Sequence, residues 1–121
     1  MQISNPNNKL NLVIYKKYIE LIYYTNDILK KYSKFEHYAL IKKIKTTLYS
    51  GLQLLMYAIK AYNKQEQLKY LSKINININK LKVHIKLSYK YKLITMQDYE
   101  DWNSLIADFS SLVENDLKVA K

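Results

Sequence analysis

Cysteine and arginine are absent from this chain, and glycine and proline occur once each, as Gly51 and Pro6. Without cysteine there is neither a disulfide framework nor a thiolate zinc site, and a reducing compartment suits the composition. One glycine and one proline are too few for an all-β fold, because hairpins draw on residues that tolerate positive φ or preset a turn. They also leave no room for a glycine-rich phosphate loop. No apolar run approaches the roughly 20 residues of a membrane span, and the opening "MQISNPNNK" lacks the apolar stretch of a secretory leader. A soluble, cytoplasmic protein without a membrane partner is expected, and 121 residues suit one domain that buries its own core.

What the chain has in excess is lysine. All 20 basic residues are lysines, against 10 carboxylates. Their distribution is uneven: residues 60–95 hold nine lysines and one acid, whereas residues 96–117 hold six acids and no lysine. A basic face and an acidic segment therefore share one small domain. A solvated surface or a polyanionic partner would each account for the basic part.

The stretch "INININKLKVHIKLSYKYKL", residues 74–93, alternates apolar and polar residues as a half-buried strand does. The phase slips at Asn79-Lys80, however, and no hairpin turn sequence marks the slip. On a helical wheel Leu71, Ile74, Ile78, Leu81 and Ile85 fall within about 80° of one another, and Ile76, Val83, Leu87 and Ile94 fall opposite. Two apolar stripes on opposite sides of one helix mimic a period of two. A helix with two packing faces is the expectation, the second face meeting an identical subunit through Ile76, Val83, Leu87 and Ile94.

Three further segments carry a helical period. The first has Tyr15, Tyr18, Ile22, Leu29 and Tyr32 on one side, widened by Ile14, Leu21 and Ile28. The second follows Ser33 and Glu36, at capping-box spacing, and runs through Ile41, Ile44, Leu48, Leu52, Leu55 and Ile59, with Gly51 as a close-approach point for another helix. The last follows Thr95, with Asp98 closing a capping box, and shows Tyr99, Trp102, Ile106, Phe109 and Val113 on one face. The predicted fold is all-α, an antiparallel up-and-down four-helix bundle assembling as a ring. The helices are expected over about 10–32, 36–63, 65–93 and 96–118, after a tail at 1–9.

Catalytic and metal chemistry find little support. His37 and His84 have no ligand-type residue three or four positions away. Asp98, Glu100 and Asp101 suit a helix start better than a magnesium site. No cofactor, no metal and no enzymatic activity are expected. Lys82, Lys86 and Lys90 recur at i+4 along one stripe suited to phosphates, and Lys42, Lys43 and Lys45 form a second cluster. Lysine is a point charge, so contact with the nucleic-acid backbone and little base readout follow.

Several of these segments resemble a known family. "VIYKKYIELI", "HYALIKKIKTTLYSGLQLL" and above all "KLKVHIKLSYKYKLITMQDY" look like the accessory variability determinant proteins of diversity-generating retroelements, in order, from about residue 12 to 113. Leu81, Lys82, Lys86, Leu87, Ser88, Leu93, Ile94, Thr95 and Tyr99 match the family's most specific block. The Pro-Lys usual between the first two helices is absent, as is a Gly-Gly-Trp type of ending, and lysine replaces arginine throughout. A sister group, encoded in intervening sequences of 23S ribosomal RNA, carries an Asn-Ile-Ala-Glu-Gly motif where this chain reads "LYSGLQLLMYAIKAY". The resemblance implies a non-enzymatic homopentamer that binds a reverse transcriptase together with template RNA and complementary DNA. A basic transcriptase would favour an acidic docking surface, for which Asp108, Glu114 and Asp116 are the candidates. The alternatives are a structural bundle of the intervening-sequence type and a bundle with no nucleic-acid role.

Overall fold

The computed structural model describes residues 8–33 and 35–119. Four helices make it up: α1 (Asn8–Leu29), α2 (Tyr38–Ile59), α3 (Lys64–Lys90) and α4 (Met96–Val119), with no strand among the described residues. The tail expected over 1–9 lies outside the described residues as far as residue 7, and Asn8 and Lys9 already belong to α1. Each helix packs against two others in the cyclic order α1, α2, α3, α4. The α2–α3 interface is the most extensive and the α1–α2 interface the slightest.

The alternating stretch is helical as far as Lys90. Leu71, Ile74, Ile78, Leu81 and Ile85 all lie in the core, each at a spacing of three or four residues from the next. The opposite stripe is only partly as expected. Ile76 and Val83 stand 57% and 58% exposed, and Leu87 is half-buried, but Ile94 is 7% exposed and packs into the chain's own core. The burial of Ile94 has a local cause. The helix stops at a Schellman turn: Lys92 takes φ 62°, its N–H donates to Tyr89 O at 2.9 Å, and Leu93 N–H donates to Ser88 O at 2.9 Å. That turn swings the chain inward, so Ile94 never continues the outer stripe.

Caps decide the other boundaries. The predicted capping box at Thr95 forms, with Asp98 N–H donating to Thr95 Oγ1 at 3.0 Å and Thr95 N–H donating to Asp98 Oδ2 at 3.3 Å. The box expected at Ser33 and Glu36 does not. The residue before α2 is His37, which makes no side-chain capping bond, and Glu36 instead lies 3.7 Å from the His37 ring. Asn63, expected at the end of the second helix, caps the third: its side chain accepts from Glu66 N–H at 2.8 Å. An extended residue committed to the next helix cannot continue the previous one, so α2 ends at Ile59.

Tyr18 of α1 and Tyr32 just beyond its end serve packing. Tyr18 is buried with its ring 4.8 Å from that of Phe109, and its hydroxyl donates to Leu48 O at 2.5 Å. Tyr32 is buried as well, and burial pushes its hydroxyl up to about 12. Gly51 is the close-approach point: a β-carbon there would collide with the Tyr18 hydroxyl oxygen. On α4, Trp102, Ile106, Phe109 and Val113 are buried, and Trp102 Nε1 donates to Thr25 Oγ1 of α1 at 3.0 Å. Fully burying an apolar side chain of this size contributes on the order of 1.5–3 kcal/mol, so this shared core fixes how the helices meet.

Candidate nucleic-acid interface

The α2–α3 seam is pinned by polar bonds between apolar layers. Asn77 Nδ2 donates to Thr47 O at 3.3 Å, and Gln67 Nε2 donates to Ala58 O at 3.3 Å. Tyr57 and Tyr70 meet across it with ring centroids 5.3 Å apart. Lys69 and Lys73 hold their ammonium groups 5.7 Å and 5.8 Å from the Tyr70 ring.

Toward the start of α2 the seam opens into a groove of about 660 Å³. Tyr38, Ala39, Lys42, Lys43, Thr46 and Thr47 line it from α2, and Lys80 and His84 from α3. The one-turn spacing of Lys42 with Thr46, Lys43 with Thr47, and Lys80 with His84 puts each pair on one face of its helix. No carboxylate lines the groove among the described residues, and none of its lysines forms an ion pair among them. Burial lowers the His84 pKa, and the neighbouring charges of Lys43 and Lys80 lower it further. Its Nδ1 is shut off from solvent and meets no hydrogen-bond partner. The groove is a concave cationic surface furnished with hydroxyl donors, chemistry suited to phosphate.

This geometry sorts the six candidate lysines. Lys42 and Lys43 enter the groove, whereas Lys45 is exposed and lies on another side of α2, about 160° around the helix from Lys43. Lys82, Lys86 and Lys90 are exposed along the flank of α3 nearer α4. Ile76 and Val83 separate them from Lys80 and His84, as 100° per residue requires. The basic surface thus has two parts with an exposed apolar strip between them. Sequence reasoning missed Lys80 and, setting a metal role aside, left His84 as an ordinary surface or interface residue. Their i+4 spacing was visible, but their proximity to Lys42 and Lys43 depends on how α2 packs on α3.

The acidic candidates also divide. Asp108 and Glu114 are exposed on α4, but Asp116 is 6% exposed and lies 3.4 Å from Lys64 Nζ, an internal tie between α3 and α4. Asp98 is engaged too, at 3.1 Å from Lys31. Burial opposes ionisation of Asp98, but hydrogen bonds from Lys31 and Thr95 and the Lys31 charge outweigh it and hold the carboxyl below its ordinary value. Among the described residues no cluster of three metal-type ligands occurs, and no helix is long and apolar enough to cross a membrane.

No curated protein and no solved structure matches the chain. A family model does, the one described as bAvd-like, over residues 12–115. That match spans parts of all four helices and includes both halves of the groove, and the chain belongs to the bAvd-like family.

Proposed function

We propose that this chain is the non-enzymatic accessory protein of a diversity-generating retroelement, acting in the cytoplasm to bring nucleic acid to a reverse transcriptase. Membership of the bAvd-like family, an accessory and non-catalytic kind of protein, supports the accessory role. The observation that carries nucleic-acid binding is the acid-free groove in which Lys42, Lys43, Lys80 and His84 converge. Template RNA or complementary DNA lies along it by its phosphates, with Lys82, Lys86 and Lys90 as a second track. Holding polymerase and template together raises their effective concentration without any chemistry by the bundle itself.

The helices of this reading run up and down, antiparallel. Pairing of Tyr18 with Phe109, Thr25 with Trp102 and Lys31 with Asp98 supports that order. The exposed strip of Ile76 and Val83, flanked by Leu87, packs against a neighbouring copy and closes a ring, a pentamer of about 73 kDa from the 14.5 kDa chain. The transcriptase docks on the exposed carboxylates of α4, Asp108 and Glu114, while Asp116 holds the bundle together.

Binding of a single-stranded oligonucleotide measured against salt tests the core of this reading. Affinity falls with rising salt, and joint replacement of Lys42, Lys43 and Lys80 by glutamine flattens the log–log slope by about 0.7 for each phosphate no longer neutralised. A slope and affinity unchanged in that variant, at unchanged helicity, would reject the groove. No binding by the unaltered protein would leave a purely structural bundle.

A further inference from the structure

We propose that the α2–α3 groove is a proton-coupled phosphate receptor, in which His84 is neutral in the free protein and takes up a proton when a phosphate group of the bound chain enters. The inference rests on the reading of the groove as a nucleic-acid interface and adds how that interface is regulated. It stands on the composition of the groove wall. Tyr38, Lys42 and Lys43 from α2 and Lys80 on its own helix share the groove wall with His84, Lys43 and Lys80 being the charges that act on it, with no carboxylate among the lining residues. An imidazole among ammonium groups is disfavoured in its charged form, the more so with Nδ1 buried and meeting neither donor nor acceptor. Nothing in the groove wall compensates a positive His84.

A phosphate group supplies the missing negative charge. It neutralises part of the field of Lys42, Lys43 and Lys80 and offers oxygens that accept hydrogen bonds from an imidazolium. The free-state value of His84 lies below its ordinary 6.5, and occupancy raises it. Proton uptake is therefore largest between the two values. Affinity climbs as pH falls across that window, by at most about tenfold per pH unit for one proton. The lysines set the attraction at every pH, and His84 adds a hydrogen bond that strengthens in mildly acidic conditions.

The test uses the full chain and a short oligothymidylate strand, with anisotropy read from pH 5.5 to 8 at fixed salt. The chain has two histidines, and His37, which pairs with Glu36, is the other candidate for such a response. His37→Gln should retain the pH dependence, whereas His84→Gln should bind no more tightly at pH 5.5 than at pH 8. A second measurement needs no substitution at His84: the imidazole proton resonances of the His37→Gln protein, titrated with and without the strand, should show a higher apparent pKa when the strand is bound. Inorganic phosphate is the second probe. Competition by phosphate with the same pH dependence assigns the receptor to an isolated phosphate, a response to the strand alone assigns it to the diester backbone, and either supports the receptor. Binding whose pH dependence survives in His84→Gln, or a His84 titration unmoved by both probes, overturns it. A strand that fails to bind at any pH defeats the interface reading itself, and the receptor with it.

Discussion

Replacing Gly51 by alanine should destabilise the bundle, although alanine is the better helix former. The β-carbon would overlap the Tyr18 hydroxyl oxygen and sit 3.0 Å from Cζ. Tyr18 has little room to retreat, being 1% exposed, bonded to Leu48 O and packed on Phe109. Crowding a packed core costs on the order of 1–3 kcal/mol. Leaving the buried hydroxyl without its partner costs ~1–3 kcal/mol more. Against this stands the helix preference of alanine over glycine, ~1 kcal/mol. A net loss of about 3 kcal/mol follows, lowering the melting temperature by on the order of 10 °C in a domain of this size. The assay is urea denaturation followed by circular dichroism at one fixed protein concentration, because self-association would make stability concentration-dependent. Tyr18→Phe supplies the control: it removes the atom that clashes, so the cost of Gly51→Ala should shrink by at least ~1 kcal/mol in that background. A neutral or stabilising Gly51→Ala, or an equal cost in both backgrounds, would refute the reasoning.

Other consequences are local and separable. Thr25→Val leaves the buried Trp102 Nε1–H without its 3.0 Å acceptor and should cost ~1–3 kcal/mol in the same denaturation assay. Lys92→Gly should stabilise by about 1 kcal/mol, since Lys92 holds φ 62° in a Schellman turn where an L side chain is disfavoured; a lower unfolding midpoint would count against that account. Asp98 has a folded pKa below its unfolded value, so its contribution is present above about pH 4 and disappears as pH falls through the folded value. Stability measured from pH 6 down to pH 2 should therefore fall less steeply for Asp98→Asn than for the parent. Val83→Asp should abolish self-association in light scattering while leaving helicity intact, because Val83 is 58% exposed in the single chain and burying an unpaired charge against a neighbour is costly.

Much of the architecture was legible because it rests on local rules. The period of Leu71, Ile74, Ile78, Leu81 and Ile85, the Thr95–Asp98 cap and the apolar face of the last helix are short-range patterns that no tertiary packing had to supply. Asn63 and Glu66 have the same spacing and could have located the start of α3. Serine and glutamate at 33 and 36 misled, since capping-box spacing is necessary for the motif but does not oblige a helix to begin there. Lys92 was hidden for a different reason: Schellman turns are recognised by glycine, and this one is made by a lysine.

Local pattern along the chain is therefore enough to specify that it is helical, that each helix has a core face, and that its lysines and carboxylates are segregated. Helical pitch and helix packing between them decide which charges lie side by side. Lys42 and Lys43 meet Lys80 and His84 because α2 packs along α3, and Lys45, two residues from Lys43, is carried to another side by the helical pitch. Asp116 became a structural tie because α4 brings it against Lys64, 52 positions away, and Ile94 moved from an expected outer stripe to the core because one turn reversed the chain. Periodicity reports where a side chain points on its own helix. Which neighbour it meets there is set by the packing of apolar faces far apart in the chain.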